Sequence, residues 1–157
     1  MQRPLDVLVT MFHAVDDLAW DVARSTFAPV VETDYTSLWG GAPARLAPDE
    51  LIAGWRELLP GFDATHHHIG PILVIGERPD EVTCTTNVRA GHWIVTAGGG
   101  RERWEVIGRY VVRLTRSERG WAISAIMLRA MAEEGDRRVV DLARERVAAG
   151  HVRTGVS

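Results

Sequence analysis

Five residues of this chain belong to types that move protons or stabilise charge: Asp16, Tyr35, His67, His92 and Tyr110. An imidazole titrates near neutral pH, so it serves as base and then as acid within one turnover. A carboxylate beside it orients the ring and stabilises its cationic form. A tyrosine hydroxyl donates a hydrogen bond to an oxygen that is gaining charge. Together these groups suit removal of a proton next to a carbonyl, or an equivalent elimination, without metal or organic cofactor. Such chemistry requires that the fold bring them to one place.

Spacing and strand parity indicate which of them face inward. Leu5, Leu8, Val9, Phe12 and Val15 recur at helical spacing over residues 5–16. Asp16 follows Phe12 by four and extends that stripe. A carboxylate there needs a partner, because an unpaired buried charge is costly. The bland alternative is that Asp16 caps a second helix. In the strand pattern 82–95, His92 shares a face with Val82, Cys84, Thr86, Val88, Ala90 and Ile94. In the pattern 102–116, Tyr110 lies with Trp104, Val106, Gly108, Val112 and Leu114, and Gly108 leaves space beside it. Tyr35 shares a face with Val31 and Trp39. Parity sets His67 apart from His66 and His68 and beside Ile69, Leu73 and Ile75. Either His67 or His92 is then the partner of Asp16. Phe12, Trp39, Trp55, Val88 and Trp104 form the expected apolar wall, with Gly108 and Tyr110 completing a substrate pocket.

The elements that must hold these residues follow from the same patterns. Helices are expected at residues 5–16, 17–27, from Pro48 to Leu59, and at 136–149, with Pro29 stopping the second. Strands are expected at 30–39, 66–76, 82–95, 102–116 and 121–129. The last four are joined by short turns rich in Gly, Pro and Asp, which favours an antiparallel meander. Helices segregated from such strands indicate an α+β fold. A strongly curved, mixed or antiparallel sheet, a cone-like half-barrel with helices packed over its mouth, leaves a cavity between its layers. Residues 1–150 read as one domain and 151–157 as a loose tail.

Composition narrows the function classes. The net charge of −3 gives no electrostatic case for nucleic acid or an acidic membrane surface. All 18 cationic side chains are arginine, which excludes a lysine Schiff base. The single cysteine, Cys84, cannot form an internal disulfide and reads as a buried, inert thiol. A His66/His68 pair with His92 has the residue types of a metal site, but parity puts that pair opposite His67, and no metal is expected. Gly98–Gly100 is a loop tip, not a phosphate cradle. Met1–Val9 shows no cleavage-site pattern, and no segment spans a bilayer; a cytoplasmic protein is the default expectation.

Four stretches carry a resemblance: WDVARSTFAPVVETDY (20–35), THHHIG (65–70), VRAGH (88–92) and GWAI (120–123). In these, and in element order over residues 5–130, the chain resembles the SnoaL-like branch of the nuclear-transport-factor-two-like superfamily, and within it the scytalone dehydratases. The resemblance implies a cofactor-free dehydratase, with isomerase or polyketide cyclase as the nearest alternatives and a non-catalytic ligand-binding module as the rival of another class. It implies Asp16, His67, His92 and Tyr35 as catalytic residues. The second tyrosine of those enzymes, just before the acid, is Val15 here, and Tyr110 is a substitute from another strand. A small hydrophobic substrate and a homodimer or homotrimer are also implied. Epoxide hydrolysis on the same fold needs an Asp–Arg–Asp set that the inward positions lack.

Overall fold

The computed structural model describes residues 3–155. The first apolar stripe folds as α1 (Pro4–Asp16), whose opening proline occupies the turn where a missing N–H costs nothing. It buries Val7, Leu8, Met11, Phe12, Ala14 and Val15. Each large side chain so buried contributes on the order of 2 kcal/mol through the hydrophobic effect. Leu18 adopts a left-handed φ of 56°, turning the chain sharply just past Asp16.

Next come α2 (Trp20–Ser25), β1 (Phe27–Asp34), a single helical turn α3 (Thr36–Trp39), β2 (Ala44–Leu46) and α4 (Pro48–Arg56). Strands β3 (Ala64–Ile69), β4 (Leu73–Arg78), β5 (Glu81–Val95), β6 (Arg101–Ser117) and β7 (Gly120–Gly135) precede α5 (Arg138–Ala148). One sheet runs in the order β2-β1-β7-β6-β5-β3, with β4 also paired to β5. The β5-β6-β7 meander is antiparallel, whereas β1 pairs with β7 in parallel, so the sheet is mixed. Register shifts at Ile107/Gly108 and Arg113/Leu114 mark bulges that bend the long strands. The result is an α+β fold with a curved, unclosed sheet, as the patterns indicated.

Several boundaries differ from expectation. The second helix is short, and Phe27 and Pro29 belong to β1. Pro29 lacks an N–H, but it falls where the β1–β7 register shifts between Phe27 and Glu32, so no ladder bond is needed. The strand expected over 30–39 stops at Asp34. The Asp34 carboxylate accepts from the Thr36 amide at 3.0 Å and the Thr36 hydroxyl at 2.7 Å, starting a helical turn that removes Trp39 from the strand. The strand expected over 66–76 is two, broken at Gly70-Pro71, and all of β4 is exposed.

Within the segment expected to be a loose tail, Arg153 makes specific contacts. The Arg153 amide donates to the Pro60 carbonyl at 2.9 Å, and its guanidinium reaches the end of α1 and β3. The parts of the terminal expectations that fall on residues 1–2 and 156–157 lie outside the described residues. Among the described residues, no helix is long and apolar enough to cross a membrane.

Candidate active site

The last residue of α1 meets the middle of β3. Asp16 Oδ1 lies 2.7 Å from His67 Nδ1, and the amide of the same His67 donates to Asp16 Oδ2 at 2.7 Å. Ring and backbone of one residue thus grip both oxygens of one carboxylate. A carboxylate only accepts, so Nδ1 carries a proton and Nε2 keeps its lone pair when the ring is neutral. Both side chains are nearly buried, at 11% and 13% exposure. Burial pushes the Asp16 carboxyl up, but the His67 ring, the His67 amide and the Thr65 hydroxyl together outweigh it and hold the group below its ordinary value.

His92 is the diagonal neighbour of His67 on the same sheet face, because His67 pairs with Ala90 and Thr65 with His92. It does not contact Asp16. Its Nδ1 faces the Trp104 carbonyl at 3.3 Å, and its ring packs between Phe62 and Trp104. Burial, followed by the nearby His67, pushes its titration down to about 3. His92 is therefore a neutral imidazole at physiological pH. The partner of Asp16, left open between two histidines by parity, is His67.

These groups adjoin a cavity of about 340 Å³ lined by Phe12, Tyr35, Trp39, Trp55, His67, His92, Trp104 and Tyr110, with Met11, Leu38, Leu51 and Leu128 among the apolar remainder. Asp16 stands behind His67 and is not part of the lining. Tyr35 is brought in by the turn that ends β1, and Tyr110 by β6. The two phenols interact through their hydroxyls, with ring centroids 6.4 Å apart. Burial first, and then the adjacent Tyr110, pushes the Tyr35 phenol well up. Burial also pushes Tyr110 up, against the hydrogen bond from Tyr35, with the Asp16 charge adding to the rise. Phe12 packs against both the His67 and Tyr110 rings, at 5.5 and 5.1 Å.

Two expected wall residues are elsewhere. Val88 lies on the correct face but in the packed core, outside the cavity. Gly108 leaves no space: a Cβ there would sit 2.4 Å from the Arg129 carbonyl oxygen, so it is a bulge glycine in close backbone contact. His66 is exposed, and His66 and His68 face away from His92. The rim residues Glu50, Glu57 and Arg144 were not anticipated. Arg144 follows the buried Val140 by one helical turn, a spacing that could have revealed it. Its guanidinium lies over the Trp39 ring at 5.6 Å, beside that of Arg137 at 5.0 Å.

The helix-facing side of the curved sheet thus holds a walled cavity lined by imidazoles and phenols, with the acid behind one of the imidazoles. The chain belongs to the SnoaL-like domain family, whose profile matches residues 5–126. It resembles Kfla4162 from Kribbella flavida at 28% identity, over 89% of this chain and 93% of that one, with a TM-score of 0.77. A candidate scytalone dehydratase from Novosphingobium aromaticivorans superposes with a TM-score of 0.69 at 16% identity, over 85% of each chain. A type 2 hexachlorocyclohexane dehydrochlorinase (LinA) gives 0.69 at 15%, covering 84% of this chain and 85% of that one. The last two establish likeness of fold. No curated protein matches the chain.

Proposed function

We propose that this protein is a cofactor-independent lyase that eliminates water, or a comparable leaving group, from a small ring-shaped and mostly apolar substrate. The observation that carries this reading is the 2.7 Å contact between Asp16 Oδ1 and His67 Nδ1 beside the aromatic cavity. It leaves His67 Nε2 as an unprotonated base on a residue of the cavity lining. The eliminations named for the two fold relatives, a dehydration and a dehydrochlorination, are of the same type.

In the proposed step, His67 Nε2 takes the proton from the carbon next to a carbonyl. The C–H electron pair passes into the carbonyl, giving an enolate whose oxygen accepts a hydrogen bond from Tyr110, whose own oxygen accepts from the Tyr35 hydroxyl. Asp16 stabilises the imidazolium so formed. When the enolate collapses, the bond to the β-hydroxyl breaks, and the His67 proton leaves with it as water. His92, uncharged, supplies a neutral polar group to the wall and does not compete for the proton.

The test is turnover of hydroxylated bicyclic ketones, after a thermal-shift screen for compounds that bind. His67→Ala is expected to lower kcat by about 10²- to 10⁴-fold, the usual worth of a positioned general base. Full turnover by both His67→Ala and Asp16→Asn would end the acid–base reading. No turnover by the wild type, with ligand affinity unchanged in both variants, would leave a binding module.

A further inference from the structure

Arg153 lies in the last described segment of the chain and takes no part in lining the cavity. Yet its guanidinium holds both elements that supply the acid–base pair. Nη1 donates to the main-chain oxygen of Asp16 at 2.8 Å, and Nη2 donates to Thr65 Oγ1 at 2.7 Å. Thr65 is buried, on β3, two residues before His67 and on the same face. We propose that Arg153 is a positioning residue for the Asp16–His67 pair, joining the end of α1 to β3 and setting Thr65 against the Asp16 carboxylate; the role deepens the elimination reading and rests on it.

The hydrogen-bond chemistry gives the link a direction. A guanidinium only donates, so Thr65 Oγ1 is the acceptor in that bond, and its own proton is free for Asp16. The hydroxyl is among the groups that keep the Asp16 carboxyl ionised. The rest of the segment is fitted to this arrangement. The Arg153 amide is pinned to the Pro60 carbonyl, and a Cβ on Gly155 would stand 2.7 Å from the Asp17 carbonyl oxygen. The Arg153 Nε is buried without a partner, so the side chain is held for its two terminal bonds at the expense of its third donor. The charged and titratable groups facing Asp16 are His66 and His67 from β3, His92 from β5, Tyr110 from β6, Arg153, and the adjacent Asp17.

Two readouts that need no turnover test the role: the pH midpoint of the Asp16 carboxyl by ¹³C NMR, and the exchange rate with water of the His67 Nδ1 proton. Arg153→Met is expected to raise the midpoint by about one pH unit and to speed the exchange, because the carboxylate loses an aligned donor and a nearby charge. Thr65→Val should do the same, and Thr65→Ser should restore wild-type values. If Arg153→Met and Thr65→Val lower the melting temperature but leave both readouts unchanged, Arg153 is a strap and the proposal is overturned. Should Arg153→Met fail to fold, the Thr65 pair decides the matter alone. Neither readout depends on whether the cavity carries out an elimination, so this proposal and that reading fail separately.

Discussion

The rings of His67 and His92 stand edge to face, 6.2 Å between centroids and 81° between planes, yet only His67 touches an acid. That asymmetry has a consequence for acid stability. His92 is held neutral down to about 3, against an ordinary value of 6.5. Between those limits the unfolded chain binds a proton that the folded chain does not, so stability falls as pH drops through the window. The shift corresponds to a loss on the order of 5 kcal/mol over the whole window. Asp16, held below its ordinary 3.8, adds a further loss as pH falls through its lowered folded value. Urea unfolding from pH 7 to pH 4 should therefore show a clearly shallower decline in His92→Phe than in the wild type. Parallel declines would mean that His92 is already charged in the native protein.

Asp16→Asn should damage the pair more than loss of a charge alone suggests. The carboxylate accepts from the His67 ring and the His67 amide on opposite oxygens. An amide has one accepting oxygen and one donating nitrogen, so one of those two bonds must be lost. Either the ring turns or the strand shifts. The expected result is a fall in kcat of about 10²-fold or more with a small change in KM, since the lost interaction strengthens as the ring becomes cationic. A KM effect alone would place Asp16 in substrate binding.

How much of this was legible in the sequence depends on how local the cause is. The α1 stripe, the α4 and α5 helices and the β5-β6-β7 meander are written in apolar periodicity, and the structure follows it. Parity also chose the correct face for His67, His92 and Tyr110. It failed for Val88 because parity gives the face of a strand and not the depth along it. At about 3.3 Å per residue, a strand as long as β5 runs well past the cavity. Only Ala90 and His92 of β5 reach the lining. The end of β1 was hidden because a side chain causes it: Asp34 capping Thr36. The roles of Thr65 and Arg153 come from contacts 88 residues apart in sequence, which no window reveals.

The phenol pair offers a separable test of transition-state stabilisation. Tyr35 and Tyr110 line one cavity and interact with each other, and burial keeps both hydroxyls protonated as donors. Donors aimed at a developing oxyanion act mainly on kcat. Tyr110→Phe and Tyr35→Phe should each lower kcat by about 10- to 10²-fold, and the double variant should lose less than the product of the two, because the hydroxyls act as a unit. Strict multiplicativity would show that the phenols serve different parts of the substrate.

Gly108 tests the frame that holds these groups. It sits at a register shift between β6 and β7, where the backbones of the two strands come together. A Cβ there would fall 2.4 Å from the Arg129 carbonyl oxygen and 3.1 Å from Ala130 Cα, both main-chain atoms that cannot rotate away. Gly108→Ala must therefore open the bulge, and overpacking of this kind costs about 1–3 kcal/mol. Because Tyr110 lies two residues along β6, on the same face, the displacement should reach the cavity as well. Chemical denaturation should show the loss of stability, and ligand affinity should weaken with it. Had Gly108 been part of an open wall, the added methyl would leave stability unchanged and affect binding alone.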